Sequence, residues 1–525
     1  GLEGKVATML AADDQLDQPD PAVGAPDLSQ RNQVHDAVDL RLVRYDDSDG
    51  DGVQEVVADG AELPRVTDGG RTWRFRVKPG YRFSPPSGAP VTATTFRNSI
   101  ERALSPAWGD WSQWGPGGAY PNYLEDIIGM ADYQSGKSPH LAGLRVEGDE
   151  LVFRLSRPLR DLGARLALQP YAVVPDGTPI EDGGVKEPLP SAGPYYLASH
   201  DFNASAVLER NPNYPGPRKA TFDAFVLRML VGNDPALAAV EQGKGDLVVG
   251  YVDQNTGALS PLLAAGGPLD RKYGAGDDPR YVRTGLPFTL FIRFNTLAGR
   301  AFSDPRLRHA VALAVDREAL ARFWNATAAD LFIPPGLASH RLQGTVYPLS
   351  EPQLERARRL MPGRRLTVTI ATDPRFSQQA MAQELRRELR PLGIDVEIVL
   401  DWDRRANAAK YDAILDTWLL DYIDPSMTFG AVLDPVHAGY EQYPIVDPPI
   451  FTDPKWIARI RAVEKLPLSE RDAGYARLDR ELAEGPAPIA TLAHGETAWF
   501  LSERVGCAHG IGINGTPDLA ELCER

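Results

Sequence analysis

Cysteine is scarce in this chain. There are two in 525 residues, Cys507 and Cys523, both near the C-terminal end. A reduced cytosolic protein has no need to place its only two cysteines this way. The placement predicts one disulfide closing a C-terminal loop, and with it an oxidising compartment. Long apolar runs are missing too: none reaches the ~18 residues of a membrane span. The chain opens at Gly1 without a methionine. It reads as processed or trimmed, with any export signal or lipid anchor expected upstream. Positive charge is short, with 56 basic against 71 acidic residues and a net charge of −15. Nonspecific nucleic-acid binding runs on clustered Lys and Arg and is disfavoured. A soluble protein is favoured, with ligands that carry positive charge. Ten of the basic residues are Lys and the rest Arg, a bias that suggests a high-GC genome.

Catalytic motifs are absent as well. The eight histidines are scattered, with no H-E-x-x-H and no pair at close metal-ligand spacing. There is no G-x-S-x-G. SGKS at Ser135–Ser138 lacks the phosphate-loop glycine, because position 131 is Ala. GKGDLVVG lacks the third glycine of a dinucleotide fingerprint. Asp421 and Asp424 could in principle form a hydrolytic carboxylate pair. Asp424 precedes Pro425, however, and reads more simply as a helix N-cap with proline in the first turn. With no coherent nucleophile, metal or cofactor motif, the chain points away from an enzyme.

What is present fits a globular α/β protein of two to four domains or lobes, with 43% hydrophobic and 24% charged residues. Asp47, Asp49, Asp51 and Gly52 match the opening of a calcium loop, whose alternate carboxylates wrap a hard cation. The twelfth position is Ala58, which offers no oxygen. The segment therefore reads as a polar turn between strands or as an incomplete Ca²⁺ site. Trp73, Phe75 and Val77 alternate with basic residues as a half-buried strand ending at Pro79-Gly80. Val91–Pro106 reads as a helix stopped by Pro106. The segment 107–123, with Trp111, Trp114 and Tyr120, has neither period. It is a loop pinned by aromatic packing or an aromatic wall of a cleft. Strands are expected at Leu151–Pro158, in FDAFVLRML, at Phe288–Thr296, Arg365–Thr372, Ile394–Trp402 and Tyr411–Trp418. Between them lie a capped helix with Asp304 at the N-cap and a helix burying Met381, Leu385 and Leu389. Strand, helix, strand with near-continuous apolar runs implies a mainly parallel sheet.

One stretch raises a sharper question. In DTWLLDYIDPS, Asp416–Ser426, the carboxylate of Asp421 follows Trp418-Leu419-Leu420 directly, and burying it unpaired would cost several kcal/mol. The ordered segments around it resemble the extracellular solute-binding proteins of family 5, which serve peptide and nickel ABC importers. LVRYDD, KPGYRFS and PVTATTFRNSIERAL resemble that family's N-terminal block. SAGPYYL, RNPNYPG and ALAAVEQGKGDLV resemble later blocks. FIRFNT with FSDPRLRHAVALAVDREAL resembles its entry into the second lobe, and TWLLDYIDPSMTF its ligand-site turn. The resemblance runs in order over residues 41 to 430.

It implies a type II, two-lobed periplasmic-binding-protein-like α/β clamp of the large peptide-binding subclass, with an extra N-terminal subdomain. Lobe one would span 1–289, including an inserted subdomain at about 45–185. Lobe two would span 290–490. Residues 491–525 would return to lobe one, tethered by the Cys507–Cys523 disulfide. In peptide-binding relatives an Asp in this turn meets the ligand's α-amino group, a role that falls on Asp421. Trp418 would line the side-chain pockets, and Tyr422 would be a further ligand-binding residue. The strand at Asp416 and Thr417 would offer its backbone to an extended peptide. Some relatives carry a basic residue shortly before the Trp for the ligand's carboxylate; Tyr411–Thr417 has none. The implied partners are a small peptide and a membrane permease of an ABC importer, with a monomer, no nucleic acid and no cofactor beyond the Ca²⁺ alternative. The alternatives are a clamp for a metal chelate, oligosaccharide or glycolipid, and an accessory protein or hydrolase reusing the fold.

Overall fold

The computed structural model describes residues 4–11, 19–23, 30–47, 49–109, 121–201, 204–229, 233–249, 266–274, 278–324, 326–434, 446, 448–513 and 515–525. The chain divides into two units. One holds Gly1–Tyr251, Arg271–Val282 and Ala498–Arg525; the other holds Val252–Asp270 and Arg283–Thr497. Two long strands, Tyr281–Phe294 and Ile489–Leu501, each begin in one unit and end in the other.

In the first unit Val6–Ala11 runs parallel to Ala224–Met229 and to Leu247–Val249. Ser205–Arg210 and Tyr195–Asp201 add antiparallel strands on one side. Trp499–Leu501 pairs antiparallel with Leu247–Val249 on the other. Met9, Tyr195, Phe222, Phe225 and Trp499 fill the core beneath this sheet. SAGPYYL has a steric reason for its glycine: a Cβ on Gly193 would lie 2.5 Å from the Val38 carbonyl oxygen. A separate antiparallel sheet orders Arg65–Thr67, Thr72–Arg76, Glu150–Arg154 and Leu144–Glu147. The predicted alternation at Trp73 and Phe75 falls on its second strand, and both rings are buried. Helix Ala93–Ala103 begins at a capping box between Thr92 and Thr95. The C-terminal tail closes with the Cys507–Cys523 disulfide, where Val505–Gly506 pairs with Cys523–Glu524.

In the second unit Leu366–Thr372 lies parallel to Ile394–Leu400 on one side and to Ala413–Leu419 on the other. Ala413–Leu419 then pairs antiparallel with Phe288–Phe294. The apolar run of Ala413–Leu419 is explained by burial on both its faces, whereas Leu366–Thr372 and Ile394–Leu400 each keep a partly exposed face. Helix Phe376–Leu389 buries Met381, Leu385 and Leu389 as its spacing predicts. Helix Pro305–Ala314 starts at Asp304, whose carboxylate accepts the Arg306 N–H at 2.9 Å.

Candidate functional site

Three parallel strands of the second unit end side by side: Leu366–Thr372, Ile394–Leu400 and Ala413–Leu419. In open α/β sheets ligands bind outside the carboxyl ends of such strands. The segments leaving these ends are Asp373–Arg375, Asp401–Arg405 and Trp418–Asp421.

The last of these is the DTWLLDYIDPS turn. Trp418, 7% exposed, donates its indole N–H to the Met427 carbonyl at 2.7 Å and closes the turn from inside. Leu420 N–H reaches the Pro287 carbonyl at 2.9 Å. Asp424 caps the following turn through Ser426 N–H at 2.9 Å, as its Asp-Pro sequence predicts. Arg471 of helix Leu468–Glu484 grips the same carboxylate with two hydrogen bonds of 2.6 Å. Asp424 is thus a cap and an ion-pair member. Asp421 sits half-buried at the tip of the turn, among groups already in contact with it.

Two expectations in this stretch are corrected. Asp416 and Thr417 were expected to present their backbone to an extended peptide. Asp416 is instead fully buried. It accepts from Arg293 Nη2 at 3.0 Å and from Arg405 Nε at 3.0 Å, with Arg404 Nη2 at 3.6 Å. Thr417 N–H donates to the Asp416 carboxylate at 3.0 Å, and the Thr417 carbonyl accepts from Arg405. The N–H and C=O of Thr417 are thus already taken by side chains. Burial pushes the Asp416 carboxyl up, but the charges of Arg405, Arg293 and Arg404 outweigh it and hold it well below the usual carboxylate range. Tyr422 was expected among the ligand-binding residues; it is fully buried and belongs to the core.

Sequence reasoning missed the arginines. It searched Tyr411–Thr417 for a basic residue, whereas the three around Asp416 come from Phe288–Phe294 and from the loop after Leu400. Arg405 also lies over the Trp418 ring, 5.9 Å from its centroid. It missed Trp402 as well, a 65% exposed ring in the same loop as Arg404 and Arg405. The signal available was the run DWDRR directly after an apolar strand.

Trp111, Trp114 and Tyr120 lie outside the described residues. Asp47, Asp49 and Asp51 converge, each with an oxygen within 4.8 Å of the others. Their carboxylates take backbone donors: Gly52 N–H to Asp47 at 3.0 Å, Asp51 N–H to Asp49 at 3.3 Å and Val53 N–H to Asp51 at 2.8 Å. Burial pushes the Asp47 carboxyl up, against the Gly52 N–H. The calcium-loop match stops there: Ala58, at the twelfth position, ends the strand Glu55–Ala58.

An α/β chain in two units, with two long strands that each begin in one unit and end in the other and a largely buried turn at a strand end that leaves Asp421 partly exposed, has the two-lobed fold of periplasmic binding proteins. Residues 55–440 match the description "Bacterial extracellular solute-binding proteins, family 5 Middle". The chain belongs to that family. Protein XP55 of Streptomyces lividans is 28% identical over 267 residues, covering 50% of this chain and 41% of that protein. The chain therefore spans about two fifths of the length of this curated relative. Among solved structures, "Clavulanic acid biosynthesis oligopeptide binding protein 2" has a TM-score of 0.78 at 20% identity, covering 99% of this chain and 96% of that one. The unliganded open form of the periplasmic murein tripeptide binding protein MppA has a TM-score of 0.76 at 20% identity, covering 100% and 98%. No described helix is long and apolar enough to cross a membrane.

Proposed function

We propose that this protein is the extracytoplasmic substrate-binding component of an ABC importer, and that it captures short peptides by closure of its two lobes. The observation that carries the reading is family membership over residues 55–440 together with Asp421 half-buried at the strand-end turn. Asp421 takes the peptide's ammonium group, a charge-assisted hydrogen bond that strengthens once water is excluded. The exposed Trp402 ring and the neighbouring Trp418 ring flank the peptide's side chains. Arg405, over that same Trp ring, faces the ligand's far end and fills the role for which Tyr411–Thr417 has no basic residue. No covalent chemistry takes part, and capture needs no cofactor. The protein acts as a monomer outside the cytoplasm, free, periplasmic or lipid-anchored, and hands its ligand to a membrane permease.

Calorimetry tests the amine anchor. Asp421→Asn should weaken binding of free-amine peptides about tenfold or more, the effect of one charge-assisted bond. N-acetylated peptides should bind wild type and variant alike. Equal losses for both ligands would remove Asp421 from the role.

A further inference from the structure

The chain carries a net charge of −15, yet one pole of the second unit reverses that sign. Helix Leu354–Arg358 packs against the turn Arg390–Leu392, which follows helix Phe376–Leu389. Leu366 N–H reaches the Gly393 carbonyl at 2.9 Å and brings Arg364 and Arg365 beside that turn. Eight arginines gather within 356–365 and 386–390, and all are exposed. Carboxylates are fewer. Glu355 holds Arg358, Glu384 holds Arg387, Glu388 is buried, and Asp395 is exposed at the start of Ile394–Leu400. Arg356, Arg359, Arg364, Arg365, Arg386 and Arg390 make no ion pair among the described residues.

Helix ends account for part of this. Cations stabilise the last turn of a helix, and Arg356, Arg358, Arg386 and Arg387 lie in such turns. Arg364 and Arg365 lie in the loop beyond, outside that short reach. The pole also lacks the anchors of a protein interface. Among the described residues, no exposed large apolar side chain falls in 354–365 or 386–393. Protein interfaces centre on buried apolar and aromatic residues, with charge at the rim. A dense surface of guanidinium forks suits a plane of phosphates instead.

Position supports the same reading. The pole lies at the amino ends of Leu366–Thr372 and Ile394–Leu400. The Asp421 turn and the segments Asp373–Arg375 and Asp401–Arg405 leave the carboxyl ends of the same sheet. One strand length, about 20 Å, separates the two ends. A contact at the pole therefore leaves the ligand end of this unit uncovered.

We infer that this arginine pole docks the second unit on the anionic lipid headgroups of a membrane surface. The attraction is electrostatic and needs no inserted side chain. Net negative charge over the rest of the chain repels other orientations, so the pole also sets which way the unit faces. The inference holds whatever the ligand is.

Vesicle co-sedimentation of the whole chain tests it. The chain should bind vesicles of equal parts phosphatidylcholine and phosphatidylglycerol, ignore pure phosphatidylcholine, and be released by high salt. Each arginine near such a surface contributes about fivefold. Arg359→Gln, Arg364→Gln and Arg365→Gln together should therefore weaken partitioning by roughly a hundredfold. A matched control removes the same charge elsewhere: Arg65→Gln, Arg145→Gln and Arg154→Gln, exposed arginines of the four-stranded sheet. That variant should bind within about threefold of wild type, and thermal unfolding of both should match wild type. Equal losses in both variants would assign the effect to net charge and overturn the pole. Binding to pure phosphatidylcholine, or binding that survives in the first variant, would overturn it too. Failure to bind the anionic vesicles would overturn the lipid surface, and retention on immobilised polyglutamate would then assign the pole to an acidic protein.

Discussion

Arg471→Met removes the guanidinium that grips Asp424 while keeping an apolar stem of similar length. Both side chains are largely buried, at 6% and 10% exposure, and the pair makes two hydrogen bonds of 2.6 Å. Breaking such a pair by removing one partner costs about 3–5 kcal/mol, because the other charge stays buried. Asp424 keeps one donor, Ser426 N–H at 2.9 Å, which places the expected loss toward the lower end. A unit of this size loses about 2–4 °C in Tm per kcal/mol. The second unit's transition should therefore fall by roughly 6–16 °C. Differential scanning calorimetry is the assay, since two units with separate cores need not unfold in one step. A double-mutant cycle isolates the pair. Asp424→Asn combined with Arg471→Met should be less damaging than the sum of the single variants by about 2 kcal/mol. A loss under about 1 kcal/mol for Arg471→Met, or strict additivity in the cycle, would refute the claim that this pair braces the turn after Ala413–Leu419.

Asp416→Asn should act on stability rather than on amine recognition, lowering the second unit's stability at pH 7 by about 3 kcal/mol or more. Its folded-state pKa is depressed, so its contribution is present above the unfolded value of about 3.9 and is lost as pH falls through that value toward the lower folded one. The variant should therefore show a flatter acid limb than wild type below about pH 4 in a urea series at stepped pH, and an unchanged slope would contradict the three-arginine clasp. Replacing Cys507 and Cys523 by Ser together should destabilise the first unit by about 3 kcal/mol, the loop-closure estimate for a separation of this length. An unaltered first-unit transition would show that the sheet pairing of Val505–Gly506 holds the tail alone.

Local pattern determined a good deal of this protein. Alternation at Trp73 and Phe75, the Asp-Pro caps at Asp304 and Asp424, and the Met381–Leu385–Leu389 stripe each report a period or a cap. These depend on neighbours within a few residues and are legible without the fold. The ordered blocks through residue 430 made the family recognisable. Charge partnership was not legible, because it depends on which strand ends are adjacent. Asp416 meets Arg293, 123 residues earlier, only because Phe288–Phe294 pairs with Ala413–Leu419. Asp424 meets Arg471, 47 residues later, only because helix Leu468–Glu484 packs there. Three carboxylates within nine residues look equivalent in a linear chain. Tertiary structure separates them: it gives Asp416 to a cluster of arginines and Asp424 to one, and sets Asp421 half-buried at the tip with contacts of its own. Coulomb energy and desolvation depend on distances through space, and sequence order does not carry those distances.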